Sequence, residues 1–233
     1  MTELVESDKI IEYDINSKID RSAEGVKENM DLFKTVQSNL LNYYPNDIYT
    51  MFFYYSEKPL FSKEECKKII EMGNSSKFDY QKFGTGQLDF KIFNAKRSYL
   101  FPNDETNDIY QKIGNIVVEQ NQRLWNFNLF DFGEPIKFME YNEYMTGHAS
   151  MHADLSHHGV TKFRKLTIII QLTDKSEYEG GDFILQQYEK PFIMPKTQGT
   201  IIIFPSFSLH EVKPVIKGTR NSLVAFAYGP PFA

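Results

Sequence analysis

The sequence predicts an α+β fold that is mainly β: a double-stranded β-helix (jelly roll) core with N-terminal helices packed on one sheet. Three observations carry this expectation. Segments with helical spacing come first, short Ile-, Val-, Phe- and Tyr-rich runs dominate after Asn126, and Gly or Pro separates those runs. At 233 residues, 41% hydrophobic and 15% aromatic, the chain can bury a sizeable core.

Residues 1–45 are polar and acid-rich, and they read as a tail followed by one helix. Within them Val26, Met30, Phe33, Val36 and Leu40 give residues 23–41 a helical stripe. The main domain then takes residues 46–233. Its first helix starts at Ser62, with Glu65 three residues later as a capping box, and ends at Gly73. Cys66, Ile69, Ile70 and Met72 supply the buried face. A second helix covers 105–125, with Ile109, Ile113, Ile116, Val117 and Leu124 on or near one stripe. Strands follow at 135–141, 166–172, 181–188, 199–204 and 222–228, rich in β-branched and aromatic residues.

Composition excludes several function classes. No apolar run approaches the roughly 20 residues of a membrane span. The N-terminus is acidic where a secretory signal would be cationic and then apolar. Cys66 is the only cysteine, so an intrachain disulfide and a thiolate metal cluster are both excluded, and a reducing cytoplasm is the expected compartment. The net charge of −5, without a long Lys/Arg cluster, disfavours a nucleic-acid partner.

A metal must therefore use imidazoles and carboxylates. His152 and Asp154 lie two apart, so an extended segment points both to one face. A lone His-x-Asp pair more often shares only a hydrogen bond. A third ligand would come from among His148, His157, His158 and His210. Of these, His210 follows a turn after an Ile-rich strand, at a strand edge facing a pocket between sheets. Two imidazoles and one carboxylate form a facial triad, which holds non-haem Fe(II) with open positions. A helical His148/His152 zinc pair is rejected, because the peptidase motif needs Glu after the first His and Ala149 stands there. His157 and His158 fall in a solvated loop. Thr167, Ile169 and Gln171 alternate onto one strand face and are candidates to line the pocket. Ser222 shares a face with Arg220.

Several stretches resemble the prolyl-4-hydroxylase-like branch of the Fe(II)/2-oxoglutarate dioxygenases, including bacterial and phage-encoded members. They are Tyr144-x-x-Gly147 ahead of His152-x-Asp154, Arg164-x-x-Thr167, and Tyr178-Glu-Gly-Gly-Asp182. Further on come Gly199-Thr-Ile-Ile-Ile-Phe-Pro-Ser206 and His210-Glu-Val-x-Pro-Val-x-x-Gly-x-Arg220. The last is the most specific. The resemblance is close over about residues 135 to 230, and residues 1–45 have no counterpart in it. It implies that His152, Asp154 and His210 bind iron and that Arg220 pairs with the distal carboxylate of 2-oxoglutarate, which a planar guanidinium grips bidentately. It implies a cosubstrate contact from Tyr144, with Tyr141 as the fallback because the loop is one residue shorter than usual. Thr167 matches a position that approaches the cosubstrate, and Ser222 is a candidate second donor beside Arg220. Phe226 stands where the family often has Trp. The implied activity is a dioxygenase, an oxidoreductase using Fe(II), 2-oxoglutarate and O2, with ascorbate as a further reductant. It would hydroxylate an unactivated C–H bond of a proline-containing protein or peptide. The competing readings are a non-catalytic jelly-roll module binding sugar or peptide, and the same chemistry on a small molecule or nucleobase. Oligomeric state stays open.

Overall fold

A computed structural model gives the fold for residues 52–76, 93–187 and 190–232. The helix expected at 23–41 lies outside these described residues. Twelve strands are described: β1 (Tyr54–Tyr55), β2 (Phe93–Asn94), β3 (Lys96–Leu100), β4 (Ile136–Asn142), β5 (His148–His152), β6 (Arg164–Gln171), β7 (Tyr178–Gly180), β8 (Phe183–Gln187), β9 (Lys190–Ile193), β10 (Ile201–Pro205), β11 (Leu209–Val212) and β12 (Val215–Tyr228). Two helices, α1 (Lys63–Ser75) and α2 (Asn107–Leu124), precede most of them.

The strands form two antiparallel sheets. The larger runs β1-β10-β6-β12-β4-β3, with β7 added to one end of β12; the smaller runs β2-β5-β11-β8-β9. Strand alternation divides the larger sheet into two buried faces. Ile136, Phe138, Leu166, Ile168, Ile170, Ile201, Ile203, Leu223 and Ala225 pack with the helix residues Cys66, Ile69, Ile109, Ile113 and Val117. The intervening Met139, Tyr141, Ile169, Ile202 and Phe204 pack with Ala149, Phe183, Leu185 and Val212 of the smaller sheet. A strand buried on both faces reads as a continuous apolar run, which explains the Ile-rich segments of β6 and β10. This is the double-stranded β-helix with its helices against one sheet. No helix among the described residues is long and apolar enough to cross a membrane.

The capping box forms as read: Ser62 Oγ accepts from the Glu65 amide at 3.2 Å and Glu65 Oε2 accepts from the Ser62 amide at 2.8 Å. Gly73 does not end α1, however; the helix continues to Ser75. A Cβ at Gly73 would lie 2.3 Å from the Phe138 ring, so this glycine lets the helix lie directly on β4. The stripe is Cys66, Ile69 and Gly73, with Ile70 and Met72 only partly buried. Burial pushes the Cys66 thiol up to about 12, which keeps it an uncharged core residue. The strand expected at 222–228 begins seven residues earlier, at Val215.

Candidate active site

β11 lies between β5 and β8, in a register that sets His210 opposite His152. The imidazole centroids are 4.3 Å apart. Just past the end of β5, the amides of Asp154 and Leu155 donate to the Ser206 carbonyl at 3.0 and 2.9 Å, and this fixes the chain where Asp154 turns inward. His152 Nε2 is 3.7 Å from Asp154 Oδ1, and His210 Nε2 is 3.3 Å from Oδ2. The three ligand atoms all lie within 4.8 Å of one another. Ligands about 2.1 Å from one ion and at right angles lie roughly 3 Å apart, so small adjustments seat a metal.

The ring orientations are set from behind. His152 Nδ1 lies 2.7 Å from the Ser150 carbonyl and His210 Nδ1 lies 3.0 Å from the Ser208 carbonyl. A carbonyl only accepts, so each Nδ1 carries the proton and each Nε2 presents a lone pair to the centre. The Thr167 hydroxyl donates to Asp154 Oδ2 at 2.9 Å. The same hydroxyl is also in donor geometry to Ser206 Oγ at 3.0 Å, so its one hydrogen is shared between two acceptors. Burial alone would raise the Asp154 carboxyl, but His210 and His152 hold it well below the usual range. Burial likewise opposes charge on His210, and Asp154 outweighs it, so that pKa is raised.

Arg220 sits on the inner face of β12, opposite Tyr141 of β4, and is 2% exposed. Its guanidinium carbon is 5.4 Å from the Tyr141 ring centroid. Arg220 Nη1 donates to Ser222 Oγ at 3.4 Å, and the Tyr178 phenol bonds the same guanidinium. Gly181 packs on its methylene stem, where a Cβ would come within 3.2 Å of Cδ. Gly180 and Gly181 make the turn read from sequence, with φ of 76° and 61°. Among the described residues no carboxylate pairs with Arg220. A buried cation without an anion is a costly arrangement and marks a place for one.

A cavity of about 340 Å³ opens on the triad, lined by His152, Asp154, His210, Tyr141, Ile169 and Phe183 among others; Arg220 is not on its wall but lies against Tyr141, which is. Tyr144 is 91% exposed on the short turn Glu143–Met145 and is absent from the cavity wall. Strand alternation turns Tyr141 inward instead, and the chain leaves β4 before Tyr144 is reached. Thr167 faces the cavity side of β6 but is engaged with Asp154. His157 and His158 are exposed, and His148 lies on a strand, as the rejected helical zinc pair required it not to. Tyr178 was missed as a neighbour of Arg220; its only sequence signal was its place ahead of Glu-Gly-Gly-Asp. The cations Lys137 and Arg164 on the cavity wall, which share Glu134, were missed as well.

Residues 138–228 match the family model described as the 2OG-Fe(II) oxygenase superfamily. A PKHD-type hydroxylase, PiuC of Pseudomonas aeruginosa, is 27% identical over 170 residues, which cover 69% of this chain and 72% of that protein. Among solved structures, a Pseudomonas putida prolyl-4-hydroxylase matches with a TM-score of 0.58 at 15% identity, over 76% of this chain and 92% of that one. A prolyl hydroxylase from Trichoplax adhaerens, solved with a hypoxia inducible factor peptide fragment, matches with a TM-score of 0.62 at 17% identity, over 90% and 94%. The structural likenesses speak for the fold, while the family model spans both halves of the His-x-Asp…His…Arg pattern. Residues 138–228 carry a 2OG-Fe(II) oxygenase domain, which makes the chain a 2-oxoglutarate-dependent dioxygenase, similar to PKHD-type hydroxylases in sequence and to prolyl-4-hydroxylases in fold.

Proposed function

We propose that the chain hydroxylates a prolyl residue of a peptide or protein, with 2-oxoglutarate decarboxylated to succinate and with ascorbate as a sustaining reductant. His152, Asp154 and His210 would hold Fe(II), and Arg220 the distal carboxylate of 2-oxoglutarate. The observation that carries this reading is the pairing of a three-ligand centre with a buried guanidinium that has no carboxylate partner among the described residues. Fe(II) held by these three residues would, with 2-oxoglutarate and O2, supply the chemistry that oxidises an unactivated C–H bond.

The protein's own groups orient and shelter. The Ser150 and Ser208 carbonyls fix the imidazole tautomers, and Thr167 holds the Asp154 carboxylate in one orientation. Tyr141 and Ser222 flank the guanidinium and would position the cosubstrate's far end. Met139, Ile169, Phe183 and Val212 give the cavity an apolar wall that limits water. A prolyl target is favoured by the names of the relatives, and the fold by itself does not select a substrate. Mass spectrometry for a +16 Da product tests it, with proline-containing peptides, Fe(II) and 2-oxoglutarate. A product mapped to proline supports the proposal; modification of another residue, or of a small molecule only, refutes it.

A further inference from the structure

A cationic site lines the cavity of the triad, away from Arg220. Alternation along β4 puts Lys137, Met139 and Tyr141 on the inner face, so Lys137 is four residues, about 13 Å of strand, from the position facing Arg220. Lys137 Nζ lies 2.8 Å from Glu134 Oε2. Arg164 Nε donates to Glu134 Oε1 at 2.7 Å, and its Nη2 lies 2.5 Å from the same oxygen. The Tyr228 phenol also donates to that oxygen, at 2.8 Å. One carboxylate therefore serves two cations and a hydroxyl, and both cationic side chains are only 10% exposed. Both also approach the Phe226 ring, Lys137 Nζ at 4.4 Å and Arg164 Cζ at 3.7 Å from its centroid. Among the described residues Glu134 is the one carboxylate paired with Lys137 and Arg164, which leaves the pair with an excess of positive charge, and Arg97 on the same wall adds a further cation near Lys137. Burial, then Arg164, pushes Lys137 down to about 8 against the opposing pull of Glu134.

The place of this cluster gives it a role. Arg164 Nη1 donates to the Asp154 carbonyl at 3.1 Å, so the surplus charge stands next to the metal ligands. Lys137, Arg164 and Phe226 line the cavity together with the triad. We infer that this cluster binds a carboxylate of the primary substrate, held by Lys137 and Arg164 over Phe226, close to the C–H bond that is oxidised. The positive excess of the Lys137–Arg164 pair matches the negative charge of a carboxylate. The carboxylate is a free C-terminus, an amino-acid carboxyl or an acidic side chain beside the target. The inference rests on the cavity being the oxidation site, and not on proline being the target.

The test uses the full chain loaded with Mn(II) and N-oxalylglycine, so that the triad and Arg220 are already occupied. Calorimetry compares N-acetyl-L-proline with N-acetyl-L-prolinamide, N-acetylglycine with N-acetylglycinamide, and inorganic phosphate. Each carboxylate should bind wild type at least tenfold more tightly than its amide. Lys137→Met should shrink that preference below threefold, and Lys137→Arg should keep it. Equal binding of carboxylates and amides to wild type, binding of neither, an undiminished preference in Lys137→Met, or tighter binding of phosphate would each overturn the inference. N-acetylglycine binding as tightly as N-acetyl-L-proline would count against proline as the target while leaving the carboxylate site intact.

Discussion

Thr167→Val isolates the support given to one proposed metal ligand, Asp154. The valine keeps the β-branched shape in a fully buried position and removes only the hydroxyl that donates to Asp154 Oδ2 at 2.9 Å. A hydrogen bond to a charged acceptor contributes about 1.5–3 kcal/mol. Loss of a group that orients a metal ligand typically weakens metal binding about 10- to 100-fold, the same range by a separate route. The prediction is a roughly 10- to 100-fold rise in the Mn(II) Kd by calorimetry. Thr167→Ser, which keeps the donor, should recover most of the loss. A Thr167→Val Kd within twofold of wild type, measured where Asp154→Ala abolishes binding, would refute the assignment of Thr167 as the group that orients Asp154.

Other predictions follow from the same geometry. Arg220→Leu should raise the 2-oxoglutarate Kd at least 100-fold while changing Mn(II) affinity less than threefold, since the guanidinium touches none of the three ligands. The same substitution removes a buried cation with no anionic partner among the described residues, so thermal unfolding of the metal-free protein should show no fall in Tm. Mn(II) affinity should decline on acidification, starting above the ordinary imidazole value of about 6.5, because the raised His210 pKa retains a competing proton to higher pH. A Kd constant between pH 8 and 6 would contradict this. Gly73→Ala gains about 1 kcal/mol of helix propensity but drives a Cβ to 2.3 Å from the Phe138 ring, and overpacking of that kind costs about 1–3 kcal/mol. The clash should win and lower Tm, which calorimetric unfolding would detect.

How much of this was legible in the sequence depended on periodicity. β6 and β10 carry triple-Ile runs because both faces are buried, and they stand out. β5, His-Ala-Ser-Met-His, and β11, Leu-His-Glu-Val, have no such run, yet they carry two of the three candidate ligands. They were found through the ligands' spacing, with no strand texture to help. Gly73 looked like a helix stop, since sequence alone cannot separate a C-cap glycine from one that admits a ring from a neighbouring strand. The phase of β4 turns Tyr141 and not Tyr144 toward the cavity, and only the register with β12 supplies that phase. Thr167 was placed on the correct face, but its partner, Asp154, lies 13 residues away on another strand end. The Glu134–Arg164 pair spans 30 residues, and no local pattern marks it.

The most direct test of the account measures succinate formed from 2-oxoglutarate with and without Fe(II), in wild type and in His152→Ala/His210→Ala. The account predicts iron-dependent succinate from wild type and none above background from the double variant, whose remaining ligand, Asp154, cannot by itself hold the metal. Equal succinate from the two proteins would contradict it.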